Sequence, residues 1–146
     1  MKRHIALIPL SHDHHEALIL ARLIQQGAPA FKGLPTELGP KAEYALDLYQ
    51  KKLEKHFIQE EGMIPIVAGI SQGLDALLEE MVQEHSVLRK LFGQLPAETN
   101  LLIPLDHLGK TLEHHIRKEE RQIFPLIQEC CSGEILDKIE ILLSAD

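Results

Sequence analysis

The sequence predicts an all-α fold, an up-down-up-down four-helix bundle followed by a short C-terminal fifth helix. Two observations predict it: five runs place apolar residues at helical spacing, and no stretch sustains the apolar-polar alternation of a strand. At 146 residues the chain is expected to form a single domain, 1–146, with one core.

Residues 1 to 10 read as an extended lead-in, with Pro9 holding the backbone away from helix and Ser11 as an N-cap. The first helix is expected from about 11 to 26, with Leu18, Ile19, Ala21, Leu23 and Ile24 as its apolar stripe and Gly27 as its stop. His15 falls on that stripe, one turn before Ile19, while His12 and His14 read as exposed first-turn residues. Pro29, Gly33, Pro35, Gly39 and Pro40 make residues 28 to 40 a loop, and its Phe31 and Leu34 suggest a packed segment that could serve as a lid. The second helix carries Ala42, Ala45, Leu46, Tyr49, Leu53, His56, Phe57 and Glu60, and Gly62 and Pro65 end or kink it. Tyr49 shares the face of His56 and could bring a hydroxyl near it, although core packing alone accounts for a tyrosine there. Ser71 can cap a third helix whose stripe of Leu74, Leu78, Met81, Leu88 and Phe92 includes His85. The fourth helix begins between Asn100 and Pro104 and carries Leu105, Leu108, Leu112, His115, Glu119 and Ile123 up to Pro125. After Ser132 a fifth helix can cover one side of the bundle with Ile135, Leu136, Ile139 and Leu143.

Two of these helices carry the same pattern. His56 is followed by Glu60 and Glu61, and His115 by Glu119 and Glu120, four and five residues on. Positions i and i+4 share a helix face, so each copy aims an imidazole and a carboxylate in one direction. That is a metal half-site written twice. His15 and His85, on the other two helices, complete an arrangement in which four helices each turn a histidine inward, and the two hairpins form a quasi-twofold repeat. His12 stands in reserve, three residues before His15.

With Asp13-His14-His15 ahead of Leu18, His56 to Glu61, Glu84-His85-Ser86-Val87-Leu88-Arg89 and His115 to Glu120 ahead of Ile123-Phe124-Pro125, the chain resembles the hemerythrin-like, or HHE cation-binding, family. The resemblance runs from Leu10 to about Ile127 and implies a non-haem diiron site inside a four-helix bundle. Matching His15-Glu16-Ala17-Leu18 to His85-Ser86-Val87-Leu88 makes His15 the ligand of the first helix. The resemblance then implies that His15, His56, His85 and His115 cap two iron ions bridged by Glu60 and Glu119. The family's oxygen carriers have a second histidine four residues away on the third helix, where this chain has Met81 and Arg89 around His85. They also use an Asp five residues after the fourth-helix histidine, which leaves Glu119 and Glu120 as alternatives for one bridge.

Imidazole and carboxylate donors suit iron, and also zinc or manganese. Two divalent ions against two carboxylates and four neutral imidazoles leave positive charge, so a small anion or a diatomic such as dioxygen or nitric oxide is the expected ligand. The contrasting expectation is a regulatory or structural bundle whose zinc or other divalent ion only ties helices together and which acts through a protein partner. No histidine has a glutamate three residues before it, as ferritin-like oxidases do, and there is no His-Glu-x-x-His or nucleophile constellation for a hydrolase. A net charge of -7 lacks the basic footprint of nucleic-acid or anionic-membrane binding. No apolar run reaches membrane-spanning length, and the adjacent Cys130 and Cys131 provide no disulfide framework, so the expected setting is a reducing cytoplasm.

Overall fold

A computed structural model describes residues 2–145, all of whose regular structure is helical. We label α1 (Ile8–Leu23), α2 (38–62), α3 (Gln72–Gln94), α4 (102–130) and α5 (Gly133–Ser144). No helix among the described residues is long and apolar enough to cross a membrane.

The capping chemistry explains most boundaries. Ser71 and Ser132 stand in extended backbone and accept from the amides of Leu74 and Ile135, which fixes the starts of α3 and α5. The N-terminus differs from the extended lead-in expected of residues 1 to 10. His4 caps a 3-10 turn, Ile5–Leu7, and α1 begins at Ile8 with Pro9 in its first turn. Proline is tolerated there because its missing N–H would have had no intrahelical partner. Ser11 therefore lies inside α1, and its hydroxyl donates to Glu120 on α4 at 2.7 Å.

Both long even-numbered helices contain a π-helical turn, Tyr49–Leu53 in α2 and Glu119–Ile123 in α4. Each inserts a residue into the ladder and re-aims the side chains around it. Pro125 falls in the first turn of the helical segment after the second of these, so α4 continues through it to Cys130.

The core is split into two apolar clusters. One contains Ala17, Phe57, Leu88 and Leu112, the other Leu10, Met63, Met81 and Ile123. Along α1 the chain passes from the second cluster to the first, along α2 back again, and α3 and α4 repeat the cycle, which is the expected up-down-up-down order. Between the clusters each of α1 to α4 crosses one buried polar layer: His14, His56 with Glu60, His85, and His115 with Glu119. The 28 to 40 loop joins the helix ends beyond the first cluster, so that cluster separates it from the polar layer and it is no lid over it.

Gly109 sets the α1–α4 crossing. A Cβ there would lie 2.5 Å from the Ala21 carbonyl oxygen and 2.9 Å from an Ile24 side-chain carbon. Only glycine lets the two backbones approach this closely.

Candidate metal centre

Six side chains make the polar layer, and all are buried: His14, His56, Glu60, His85, His115 and Glu119. Their donor atoms fall into two groups, His14 with His56, Glu60 and Glu119, and His85 with His115, Glu60 and Glu119, with the atoms of each group within 4.8 Å of one another. The groups overlap through the two glutamates, and each glutamate turns one oxygen to each side. Glu60 Oε2 is 3.2 Å from His56 Nε2 while Oε1 is 3.0 Å from His85 Nε2; Glu119 Oε1 is 2.9 Å from His14 Nε2 while Oε2 is 3.3 Å from His115 Nε2.

The structure brings together His56, Glu60, His85, His115 and Glu119 but not His15. His15 is exposed, and the neighbouring His14 occupies the first-helix position. The register of α1 causes this, because Leu10, His14, Ala17 and Ala21 form its buried face. His12, His107 and His114 are exposed. Met81 lies in the apolar cluster, and Arg89 turns away to carboxylates, so α3 brings only His85 to the layer. Glu61 and Glu120, next to the inner glutamates, point outward to histidine Nδ1 atoms.

A carboxylate stands behind every imidazole. His14 Nδ1 is 2.6 Å from Glu120, His56 Nδ1 3.0 Å from Asp13, His85 Nδ1 2.8 Å from Glu61 and His115 Nδ1 2.7 Å from Glu84. An ionised carboxylate only accepts, so Nδ1 carries the proton and the Nε2 lone pair of the neutral ring faces inward. Three of these carboxylates are themselves anchored by cations: Glu120 by Arg3, Glu61 by Arg89 and Glu84 by Lys118. Arg89 also binds Glu54, which accepts from the Tyr49 hydroxyl at 2.5 Å. Tyr49 is therefore joined to His85 through four successive contacts, by way of Glu54, Arg89 and Glu61. Phe57 stacks on His85 with centroids 4.3 Å apart, and Phe124 on His14 at 5.5 Å, so carbon walls close the layer.

The inner atoms approach one another without satisfying one another. His14 Nε2 and His56 Nε2 are 3.1 Å apart, two lone-pair atoms face to face in the neutral rings. Both oxygens of Glu119, one of Glu60 and the Nε2 of His115 are buried with no hydrogen-bond partner. Such orphaned acceptors are costly in a dry core unless a cation collects them. The electrostatics carry the same demand. Burial pushes the imidazoles toward the neutral form, yet the facing carboxylates outweigh it and raise His56 and His85 to about 9 and His115 to about 10, with His14 also well above its ordinary value. Burial and the Glu60 charge push Glu119 up, but His115 and His14 hold it at about 2; Glu60 is likewise well below the carboxylate range. The donor set thus fits metal cations, and its nitrogen and oxygen chemistry fits iron, zinc or manganese.

Fold and layer together define a helical bundle with overlapping His/Glu groups suited to a dinuclear metal site. Residues 5–128 match the family described as hemerythrin HHE cation binding domain, and the chain belongs to that family. No curated protein and no solved structure gives a match.

Sequence reasoning missed that His14 enters the layer and that Asp13, Glu61, Glu84 and Glu120 stand behind its imidazoles. A signal for them exists: Asp13-His14 and Glu84-His85 are both an acid followed by a histidine, and aligning those pairs selects His14.

Proposed function

We propose that the chain holds two iron ions on His14, His56, Glu60, His85, His115 and Glu119, and that it binds, reacts with or senses dioxygen or nitric oxide. One observation supports this reading above all: four imidazoles with Nδ1 held by carboxylates turn Nε2 toward two glutamates that each present one oxygen to each side. Iron, when bound, supplies electron-transfer chemistry and affinity for diatomic gases. The protein's part is to hold the imidazoles in one tautomer, balance charge with two carboxylates and keep bulk water out with Phe57 and Phe124. The free Cys130 and Cys131 fit a reducing cytoplasm.

A second reading has its own support, because two histidines and two glutamates per group also meet the tetrahedral demand of a closed zinc site. Metal analysis of protein purified from its native host separates the two. Two iron per chain supports the proposal, and two zinc with no nitric oxide binding supports a structural or regulatory bundle. Under identical reconstitution, His14→Ala and Glu119→Ala should lose metal while His15→Ala keeps it. Full stoichiometry in Glu119→Ala would discard the ligand assignment.

A further inference from the structure

The quasi-twofold repeat extends beyond the metal layer to the surface. Aligning His14 with His85 and His56 with His115 pairs Asp13 with Glu84, Lys51 with Lys110, Lys52 with Thr111, and Glu16 with Val87. A crevice lies over each half. The one between α1 and α2, about 270 Å3, is lined by Asp13, Lys51, Lys52, Lys55 and Gln59. Its counterpart between α3 and α4 consists of two cavities of about 290 and 320 Å3 that share Glu84 and Thr111. The equivalence is position for position, and the chemistry is not.

On the first half, Lys52 reaches across to Glu16 at 2.6 Å, so two long charged side chains span the crevice. On the second half the same two positions are Thr111 and Val87, which are too short to meet and leave a groove of mostly carbon lining. The first crevice reaches Asp13 but no histidine, whereas His115 itself lines the second. His115, itself buried, is thus among the residues that line the groove, and its Nε2 is 3.3 Å from Glu119 Oε2. Glu84, which also lines the groove, lies 2.7 Å from His115 Nδ1, and Lys118 ties Glu84 and Glu80 across α3 and α4, two helical turns along from Thr111.

We propose that the α3–α4 groove over Thr111 and Val87 is the route by which small uncharged diatomic ligands reach the centre, and that the equivalent crevice of the first half is barred by Lys52 and Glu16. A groove whose exposed surface is mostly carbon, from Val87 and the stems of its polar side chains, favours an uncharged ligand because little polar surface has to be desolvated to admit it, while a lysine–glutamate pair over the opening obstructs passage and holds water. The proposal rests on the gas-binding reading above, so its test has an arm that does not use iron.

In that arm, dissolved dioxygen serves as a paramagnetic probe of the diamagnetic zinc-loaded protein. Proton resonances of Val87, Thr111 and His115 should broaden more than those of Glu16, Lys52 and His56. Equal broadening, or the reverse order, overturns the route whatever metal is native. In the second arm the bar is installed in the open half by Thr111→Lys with Val87→Glu, both at the surface and away from the donor atoms. Nitric oxide association and dissociation rates of the ferrous protein should both fall about tenfold with Kd unchanged. Unchanged rates overturn the proposal, as does a faster association in Lys52→Thr with Glu16→Val that exceeds any effect at Thr111. If nitric oxide does not bind the unmodified ferrous protein, the functional reading fails and the dioxygen mapping still decides the route.

Discussion

Asp13 and Glu84 do the same job in the two halves of the repeat: Asp13 lies 3.0 Å from Nδ1 of His56, and Glu84 lies 2.7 Å from Nδ1 of His115. Each stands one residue before a histidine of its own helix and holds the histidine of the neighbouring helix. The outer carboxylates therefore tie helices together in pairs as well as orienting rings. Only their backing differs. Glu84 binds Lys118, whereas Asp13 pairs with His56 alone among the described residues.

That difference orders two variants. Asp13→Asn and Glu84→Gln keep shape but remove the charge that fixes the imidazole tautomer, and each should weaken metal binding by about 10- to 100-fold. Glu84→Gln should sit at the upper end, because it also leaves Lys118, 14% exposed, without one of its two carboxylates beside the centre. Competition titration with a chelator measures both. Equal affinity in both variants and the parent chain would show that the outer carboxylates hold helices only.

The bundle was legible because helical periodicity, serine caps and proline positions all follow from local chemistry. Which histidine of the first helix enters the polar layer was less so, for a packing reason. The buried face of α1 carries Leu10, Ala17, Leu20, Ala21 and Leu23 around His14, and Ala21 is small where α4 comes close at Gly109. A hydropathy stripe favours the larger Leu18 and Ile19, which lie only partly buried beside His15, and so it points to His15 in place of His14. The π-helical turns left no such trace, since an inserted residue is stabilised by tertiary contacts rather than by local propensity. Glu61 and Glu120 were visible as neighbours of the inner glutamates, but only the fold shows that they face histidines on other helices.

Gly109→Ala tests the packing argument directly. The new Cβ would fall 2.5 Å from a backbone carbonyl of Ala21, which cannot rotate aside. The helices must separate, at a cost of about 1–3 kcal/mol. The midpoint of denaturant unfolding should drop accordingly, and because α1 carries His14, metal affinity should fall with it. An unchanged midpoint would mean that the crossing has slack.

The pH behaviour of metal-free and metal-loaded protein should diverge. In the metal-free protein the four histidines of the buried layer titrate above their ordinary 6.5, His56 and His85 at about 9 and His115 at about 10. Groups raised on folding stabilise fully below 6.5, and that contribution is lost as pH rises through 9 to 10. Glu119, lowered from 4.5 to about 2, stabilises above 4.5 and loses its contribution as pH falls toward 2. Metal-free Tm should therefore peak between 4.5 and 6.5 and decline on the alkaline side. A metal needs the rings deprotonated, so the Tm gain on loading should grow as pH rises, and loading near neutrality should release protons. Calorimetry in buffers of different ionisation enthalpy counts them. No proton release near neutrality would mean that the rings are already neutral.

The iron-loaded centre should be oxidised one way by dioxygen rather than act as a durable reversible carrier. The reason lies on α3, where Met81 is buried in the apolar cluster and Arg89 is committed to Glu54 and Glu61, leaving His85 as that helix's one donor to the layer. Each group then has two histidines and two shared glutamates, which leaves iron with positions for small exogenous ligands on both sides of the pair. Reversible binding requires one such position in a pocket that water does not reach. The measurement is to reduce the iron-loaded protein without air, admit air, and follow visible absorption through repeated cycles of oxygen addition and removal. A single conversion to a stable diferric spectrum is expected. A spectrum that returns to the diferrous form over many cycles would sink the prediction, and Arg89→His, which offers a second α3 imidazole one turn from His85, should shift the parent chain toward that behaviour.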